Sequence, residues 1–354
     1  MPFKRKHRIS DFLTVDELNH LKNFIPQSRD EYLAHLQHIY NLKLQTPFPL
    51  VVHIEPTNFC NYRCIMCSHS TMKRKAQEID ESLMEKAIDE CASAPLWSLQ
   101  FFFFGEPFLN KKTIEYMRMA KEKGIKNVSI TTNFSVVDQD TINKIVEYGI
   151  DSIHISFHGL NRERFHNIHQ VDMYHTVLKN INRLIETRQR SGGNKPWISI
   201  TYVQTTESDQ EMEQFRQTWL SRIDNVHISP QLENLNGATD GQPRTQIALE
   251  QKTANTGGIL VREQKKRVPC RQLWTKMAVL SNGALVPCSQ NIDGELAVGN
   301  IRDMTIAEAW TGWELAKLRM QHIANIFEPG HACAPCTDWD WSGRVDNRPK
   351  AATT

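Results

Sequence analysis

Long apolar runs are missing from this 354-residue chain. Nothing approaches the roughly 18 apolar residues that a spanning helix needs. The first residues, MPFKRKHRISDF, carry basic side chains with no apolar stretch behind them, so they do not read as a secretory signal. Charge of one sign is missing too: 42 Lys+Arg stand against 40 Asp+Glu, a formal net charge of +2. That balance argues against a nucleic-acid binder, which would show a basic surface. Two short basic runs, Lys4–Arg8 and Lys265–Arg267, read as solvated surface. Glycine (16) and proline (15) are scarce, which excludes collagen-like and low-complexity chains. With no membrane or export segment, a cytoplasmic location is expected. Thiols stay reduced there, so the eight cysteines are expected to bind metal rather than pair.

What is present is a βα alternation. An N-terminal helical segment (1–47) is expected first, because Thr14-Val15-Asp16-Glu17 and Ser28-Arg29-Asp30-Glu31 read as capping boxes ahead of helically spaced apolar residues. Strand-like runs follow at Leu50–Glu55, Leu96–Phe103, Lys126–Thr132, Ile150–Phe157, Trp197–Val203 and Asn225–Ser229. Helical runs near 80–92, 111–123, 138–148, 173–190 and 208–221 lie between them, with Asp80 and Asp138 as N-caps and Gly124 and Gly149 as helix ends. Such alternation predicts an α/β fold with a parallel sheet, either a barrel or an open doubly wound sheet. Six units over 48–232 fall short of the full eight-fold barrel. The polar stretch 233–265 reads as a linker, and a smaller unit is expected over 266–345, with a hairpin-like turn at Ser281-Asn282-Gly283.

Chemistry concentrates in cysteine. Cys60, Cys64 and Cys67 lie within eight residues, directly after the first strand. Loops at the carboxyl ends of strands are where such folds build sites. Structural zinc usually wants four ligands, and iron–sulfur clusters usually take four thiolates. Three thiolates therefore suggest a cluster with one iron left open. Buried filler, a zinc knuckle completed by His53 or His69, and a redox thiol group are the alternatives.

The Cys60-x3-Cys64-x2-Cys67 spacing resembles the signature of radical S-adenosylmethionine (SAM) enzymes. The resemblance implies an α/β, partial (βα)6 TIM barrel whose three cysteines bind a [4Fe-4S] cluster. SAM chelates the fourth iron, and its reductive cleavage yields a 5′-deoxyadenosyl radical that abstracts hydrogen from substrate. Phe104-Gly105-Glu106-Pro107 resembles the family's GGEP motif, with Phe104 in place of the first glycine, and implies that Gly105 and Glu106 hold the SAM ammonium. Thr131, Asn133, Ser156 and Gln204, at later strand ends, are implied to face the rest of SAM. Met66 stands where an aromatic residue often packs near the adenine.

A second set, Cys270, Cys288, Cys333 and Cys336, belongs to a pattern that resembles a SPASM domain. Pro269-Cys270, Asn282-Gly283, Pro287-Cys288, Val298-Gly299-Asn300 and Cys333-x2-Cys336 carry that likeness. Four cysteines imply one auxiliary [4Fe-4S] cluster; structural zinc is the alternative. Trp339 and Trp341 are expected beside it. Cys91, on the apolar stripe of a helix, reads as a buried small hydrophobe, the alternative being a hydrogen-atom donor. His158 is a candidate for substrate contact, and Arg162 and Arg164 for the SAM carboxylate. Phe101–Phe104 reads as a strand buried on both faces.

The resemblance implies a reduced flavodoxin or ferredoxin as electron donor, and no nucleic-acid or membrane partner is expected. A small metabolite, a sugar or alcohol, is the expected substrate, since a 47-residue helical preface looks too short for the leader-binding domain of peptide maturases. Modification of a peptide or protein side chain is the alternative. Two other classes stand beside these: a zinc-binding, non-catalytic scaffold, and an electron carrier without SAM chemistry.

Overall fold

The structure, a computed structural model, describes residues 46–204, 207–230, 269–327, 330–334 and 336. Nearly all of the expected N-terminal helical segment, the linker 233–265, both basic runs, and Trp339 and Trp341 lie outside the described residues.

Six strands form the parallel part of the sheet: β1 (Val51–Ile54), β2 (Ser98–Phe101), β3 (Val128–Thr132), β4 (Ser152–Ser156), β5 (Trp197–Gln204) and β6 (Asn225–Pro230). Between them run α1 (Glu81–Ala92), α2 (Thr113–Glu122), α3 (Gln139–Glu147), α4 (Arg162–His169), α5 (Tyr174–Arg190) and α6 (Asp209–Leu220). This is the six-unit α/β arrangement that the alternation predicts. After it come β7 (Lys276–Val279), β8 (Ala284–Val286), β9 (Gly299–Asn300), α7 (Ile306–Thr311) and α8 (Trp313–Ala324).

Local signals explain the ends. Asp138 caps α3 by accepting from the Thr141 N–H at 2.8 Å, and Gly124 and Gly149 take φ of +86° and +64°, which suits glycine. Asp80 precedes α1 but makes no side-chain cap; it pairs with Arg302 instead. Two expectations are corrected. The second strand ends at Phe101, not Phe103: the Phe102 N–H makes the last bond to β1, at the Ile54 carbonyl, and the Phe104 N–H turns to the Glu55 carboxylate instead. Phe102 and Phe104 are half-buried, so this run is not covered on both faces. Helix α4 has no counterpart in the sequence reading.

The strands alternate. Ile54, Leu99, Phe101, Ile130, Ile153 and Ile200 are fully buried and share one cluster with Met84, Ile88, Met117, Ile142 and Leu184 of the helices. Each such side chain contributes about 1.5–3 kcal/mol on burial. The opposite face is polar: Gln100, Thr131, His154, Ser156 and Thr201 are half-buried there. A fully packed barrel would fill this face with branched apolar residues.

The C-terminal unit does not stand apart from this sheet. The strand order is β6-β5-β4-β3-β2-β1-β7-β8-β9, and β7 pairs in parallel with β1, Val51 opposite Lys276 and Ile54 opposite Val279. The expected hairpin turn is present: β7 and β8 run antiparallel, and Gly283 takes a φ of +84°. A buried polar knot locks the junction. Arg74 donates to both Glu55 oxygens, at 2.7 and 2.9 Å, and the Ser281 N–H donates to Glu55 at 2.9 Å. Asp293 accepts from the Lys73 and Arg74 backbone N–H groups.

Candidate functional site

Residues 55–72 carry the first cysteine set from the end of β1 toward α1. Cys60, Cys64 and Cys67 lie close enough to act on one another: burial, first, and then the neighbouring thiols Cys67 and Cys60 push the Cys64 thiol well above its ordinary range. Burial likewise pushes Cys60 up to about 12. Buried thiols this close are neutral and poor nucleophiles as they stand, but a cation of soft character would displace their protons and stabilise the thiolates. The donor set fits a thiolate-held iron–sulfur group.

The loop is fastened on two sides. Asn61 donates to Ser135 Oγ at 2.9 Å and accepts from Asn133 Nδ2 at 2.8 Å, which ties it to the end of β3. The Ile65 and Arg63 N–H groups donate to the carbonyls of Ile168 and His169, at 2.9 and 3.3 Å, which ties it to the C-terminus of α4. His169 also places Nδ1 3.2 Å from Cys64 Sγ. Burial depresses His169 well below the usual imidazole range. The sequence reading missed this helix and its histidine; the Asn161 cap with Phe165 and Ile168 behind it was the available signal.

Phe104-Gly105-Glu106-Pro107 wraps against the start of the same loop. A Cβ on Gly105 would stand 2.0 Å from the Thr57 carbonyl oxygen and 2.9 Å from the Asn58 Cα, so only glycine lets the two backbones meet. Gly105→Ala must push backbone against backbone. It is expected to destabilise the protein by about 3 kcal/mol, at the upper end for overpacking, read as a fall in unfolding midpoint.

Glu106 is buried, and its carboxylate accepts from Thr132 Oγ1 at 2.6 Å and from the N–H groups of Asn133 and Phe108 at 2.7 and 3.2 Å. Burial outweighs these donors and pushes Glu106 up to about 7. Asn133 is held by Asn61 and Ser135. Beside it Phe134, fully buried, is held at φ +60°, a strained value for an aromatic residue and one often found near functional sites. Thr131 and Ser156 face the polar interior, half-buried. Gln204 Nε2 donates to the Glu207 carbonyl at 2.8 Å and so turns toward the start of α6.

Of the other candidates, His158 is buried and its Nδ1 accepts from the Val203 N–H at 3.1 Å. Arg162 pairs with Asp172 at the surface, and Arg164 approaches Glu207 at 3.8 Å. Met66 is buried within the loop, and Cys91 sits in the core of α1.

In the second set, burial, first, and then the nearby thiols of Cys270, Cys333 and Cys336 raise the Cys288 thiol. The Cys333 and Cys336 backbones form a tight turn. Cys270 leads into the short helical turn before β7, Cys288 follows β8, and His322 and His331 accept from the Cys270 and Cys333 N–H groups at 3.3 and 3.1 Å. Four thiols close a coordination sphere, whereas three leave it open.

A family model described as the radical SAM superfamily matches residues 54–218, and one described as an iron–sulfur cluster-binding domain, SPASM, matches residues 270–337. Over residues 54–218 the chain belongs to the radical SAM superfamily. It is a radical SAM enzyme with a C-terminal SPASM domain, and its cofactors are [4Fe-4S] clusters and SAM. It is similar to the tungsten-containing aldehyde ferredoxin oxidoreductase cofactor-modifying protein of Pyrococcus furiosus, 24% identical over 290 residues, 73% of this chain and 80% of that one. In fold it resembles SuiB of Streptococcus suis bound to S-adenosylmethionine, with a TM-score of 0.62 and 16% identity over 89% of this chain and 77% of that one. It also resembles anSMEcpe with bound AdoMet and Cp18Cys peptide, with a TM-score of 0.57 and 17% identity over 82% and 87%. The radical SAM match runs from the end of β1 into α6, and the SPASM match runs from Cys270 through the last cysteine pair. Among the described residues no helix is long and apolar enough to cross a membrane.

Proposed function

We propose that Cys60, Cys64 and Cys67 hold the SAM-binding [4Fe-4S] cluster at the mouth of the barrel (48–232). Cys270, Cys288, Cys333 and Cys336 hold one auxiliary [4Fe-4S] cluster in the second unit (266–345). When bound, the first cluster supplies the electron that splits SAM and so allows hydrogen to be taken from a substrate C–H bond. Three neighbouring, mutually acting thiols in one buried loop, whose start packs against the Gly105 turn, carry this reading.

The protein's part is to bind and orient. Gly105 admits the close turn, and Glu106 places a negative charge beside the loop for the SAM ammonium. Thr131, Asn133, Ser156 and Gln204 stand at successive strand ends around it. A reduced flavodoxin or ferredoxin is the electron source. Anaerobic protein loaded with iron and sulfide is expected to form 5′-deoxyadenosine from SAM and dithionite; none formed at full iron content overturns the assignment.

Glu106 gives this a pH signature. Its folded value near 7 means that below that pH a proton must leave before the carboxylate can attract a cation. SAM affinity is therefore expected to rise about tenfold per pH unit up to pH 7 and then level off. Calorimetric titration of the loaded enzyme checks this. Glu106→Gln should flatten the profile, and a profile unchanged by that substitution removes Glu106 from the role.

For the substrate, the barrel interior favours a neutral, hydroxyl-bearing small metabolite, a sugar or alcohol, that is oxidised or rearranged. The inner face of β2 to β5 carries Ser, Thr, Gln and His, with Trp197 and Val203 toward the two ends of β5, and no Lys, Arg, Asp or Glu. The Ser98 and Ser129 hydroxyls are buried there without a hydrogen-bond partner among the described residues, a disposition that favours polar contents. The second reading, modification of a peptide side chain, is supported by SuiB solved with precursor peptide SuiA and by the peptide bound to anSMEcpe. Transfer of deuterium into 5′-deoxyadenosine from labelled polyols, but not from labelled peptides, would support the first reading over the second.

A further inference from the structure

His169 approaches Cys64 with a ring whose proton the fold has already placed. The backbone N–H of His158 donates to His169 Nε2 at 3.1 Å. A backbone N–H cannot accept, so Nε2 carries the lone pair and the imidazole is neutral. The ring proton therefore sits on Nδ1, and Nδ1 lies 3.2 Å from Cys64 Sγ. The ring has little freedom to turn. It stacks on His158 at 4.9 Å and 16°, meets Tyr62 edge-on at 5.1 Å, and lies against Phe165 at 4.2 Å. His158 is fixed in turn by the Val203 N–H. The carbonyls of Ile168 and His169 hold the cysteine loop itself, so donor and sulfur ride on one rigid joint.

We propose that His169 donates a hydrogen bond from Nδ1 to the Cys64 sulfur and thereby raises the reduction potential of the cluster that Cys64 helps to hold. The inference rests on the assignment of Cys60, Cys64 and Cys67 made above. A cluster that gains an electron carries one more negative charge, shared by its ligand sulfurs. A donor N–H aimed at one of them stabilises the reduced form more than the oxidised form. Burial removes competing water and strengthens the effect. His169 is a positioning residue: it touches the ligand, not the substrate.

The test is a potential, not a turnover. Anaerobic enzyme is reconstituted without SAM, and the cluster midpoint is read by electron paramagnetic resonance during stepwise reduction with dithionite. His169→Phe keeps an aromatic ring and removes the N–H. At a fixed solution potential the ratio of reduced to oxidised cluster is expected to fall about tenfold, which is 59 mV for one electron. His169→Asn, whose amide nitrogen takes a place near that of Nδ1, is expected to restore most of the ratio. In the metal-free wild-type protein, nitrogen-15 histidine resonances should show His169 as the Nδ1–H tautomer. An unchanged midpoint in a fully loaded His169→Phe protein overturns the inference, and so does an Nε2–H tautomer in the wild type, which is decisive even where the variants do not fold. Wild-type protein that takes up no iron at the three cysteines overturns the underlying assignment instead, and iron analysis tells the two failures apart.

Discussion

Replacing Cys60, Cys64 and Cys67 together by alanine is expected to abolish 5′-deoxyadenosine formation, whereas Cys288→Ala should leave it measurable. The contrast follows from coordination. On the proposed assignment, three thiols leave one position for SAM, so their loss removes the place where SAM is split, while a four-thiol set is closed. Wild-type protein should bind about eight irons per chain and the triple variant about four. Cys288→Ala should also fall toward about four, since an incomplete set of sulfurs holds a cluster poorly. Iron analysis and chromatographic detection of the nucleoside check both arms. Nucleoside formed by the triple variant at the wild-type rate would remove the loop from the chemistry. A fully iron-loaded Cys288→Ala protein would remove Cys288 from the auxiliary site.

Arg74→Met is expected to cost about 3–5 kcal/mol of stability. Glu55 lies at the end of β1 with 1% of its side chain exposed, and Arg74 has 5%. Arg74 supplies the opposing charge and two hydrogen bonds at 2.7 and 2.9 Å, while Ser281 adds a backbone donor at 2.9 Å. Methionine fills much of the space but leaves a buried carboxylate with no cation. The net stability of a folded domain is only about 5–15 kcal/mol, so the loss is a large share of it. Denaturant unfolding of the metal-free protein measures it, and a change below about 1 kcal/mol would mean that water reaches Glu55. Because Glu55 also faces the Phe104 N–H, the same variant should bind SAM more weakly.

The parts of this architecture that are legible in the chain are those built from short-range signals. Strands β3, β5 and β6 fall within about two residues of their expected ranges, since period-two apolar patterning and helix-ending glycines are local. The cysteine loop was legible for the same reason: three thiols in eight residues announce their chemistry without the fold. Helix α4 was not, because it is eight residues long and buries only Phe165, Ile168 and His169. Its role emerges only when His169 meets Cys64 across 105 residues. The addition of β7 to β1 was equally invisible, because nothing in either segment specifies a partner more than 200 positions away. Glu106 was expected to offer its charge to a ligand; in the structure its oxygens splice the turn to the end of β3.

That β1 has neighbours on both sides has a practical meaning for anyone dissecting this protein. Truncation before Cys270 would strip β7 from β1 and lay bare the backbone amides and carbonyls of Val51–Ile54. An uncovered edge invites other chains to add to it. The catalytic half, expressed alone, would then be prone to precipitate for reasons unrelated to its iron, and any chimaera should exchange β1 and β7 as a pair.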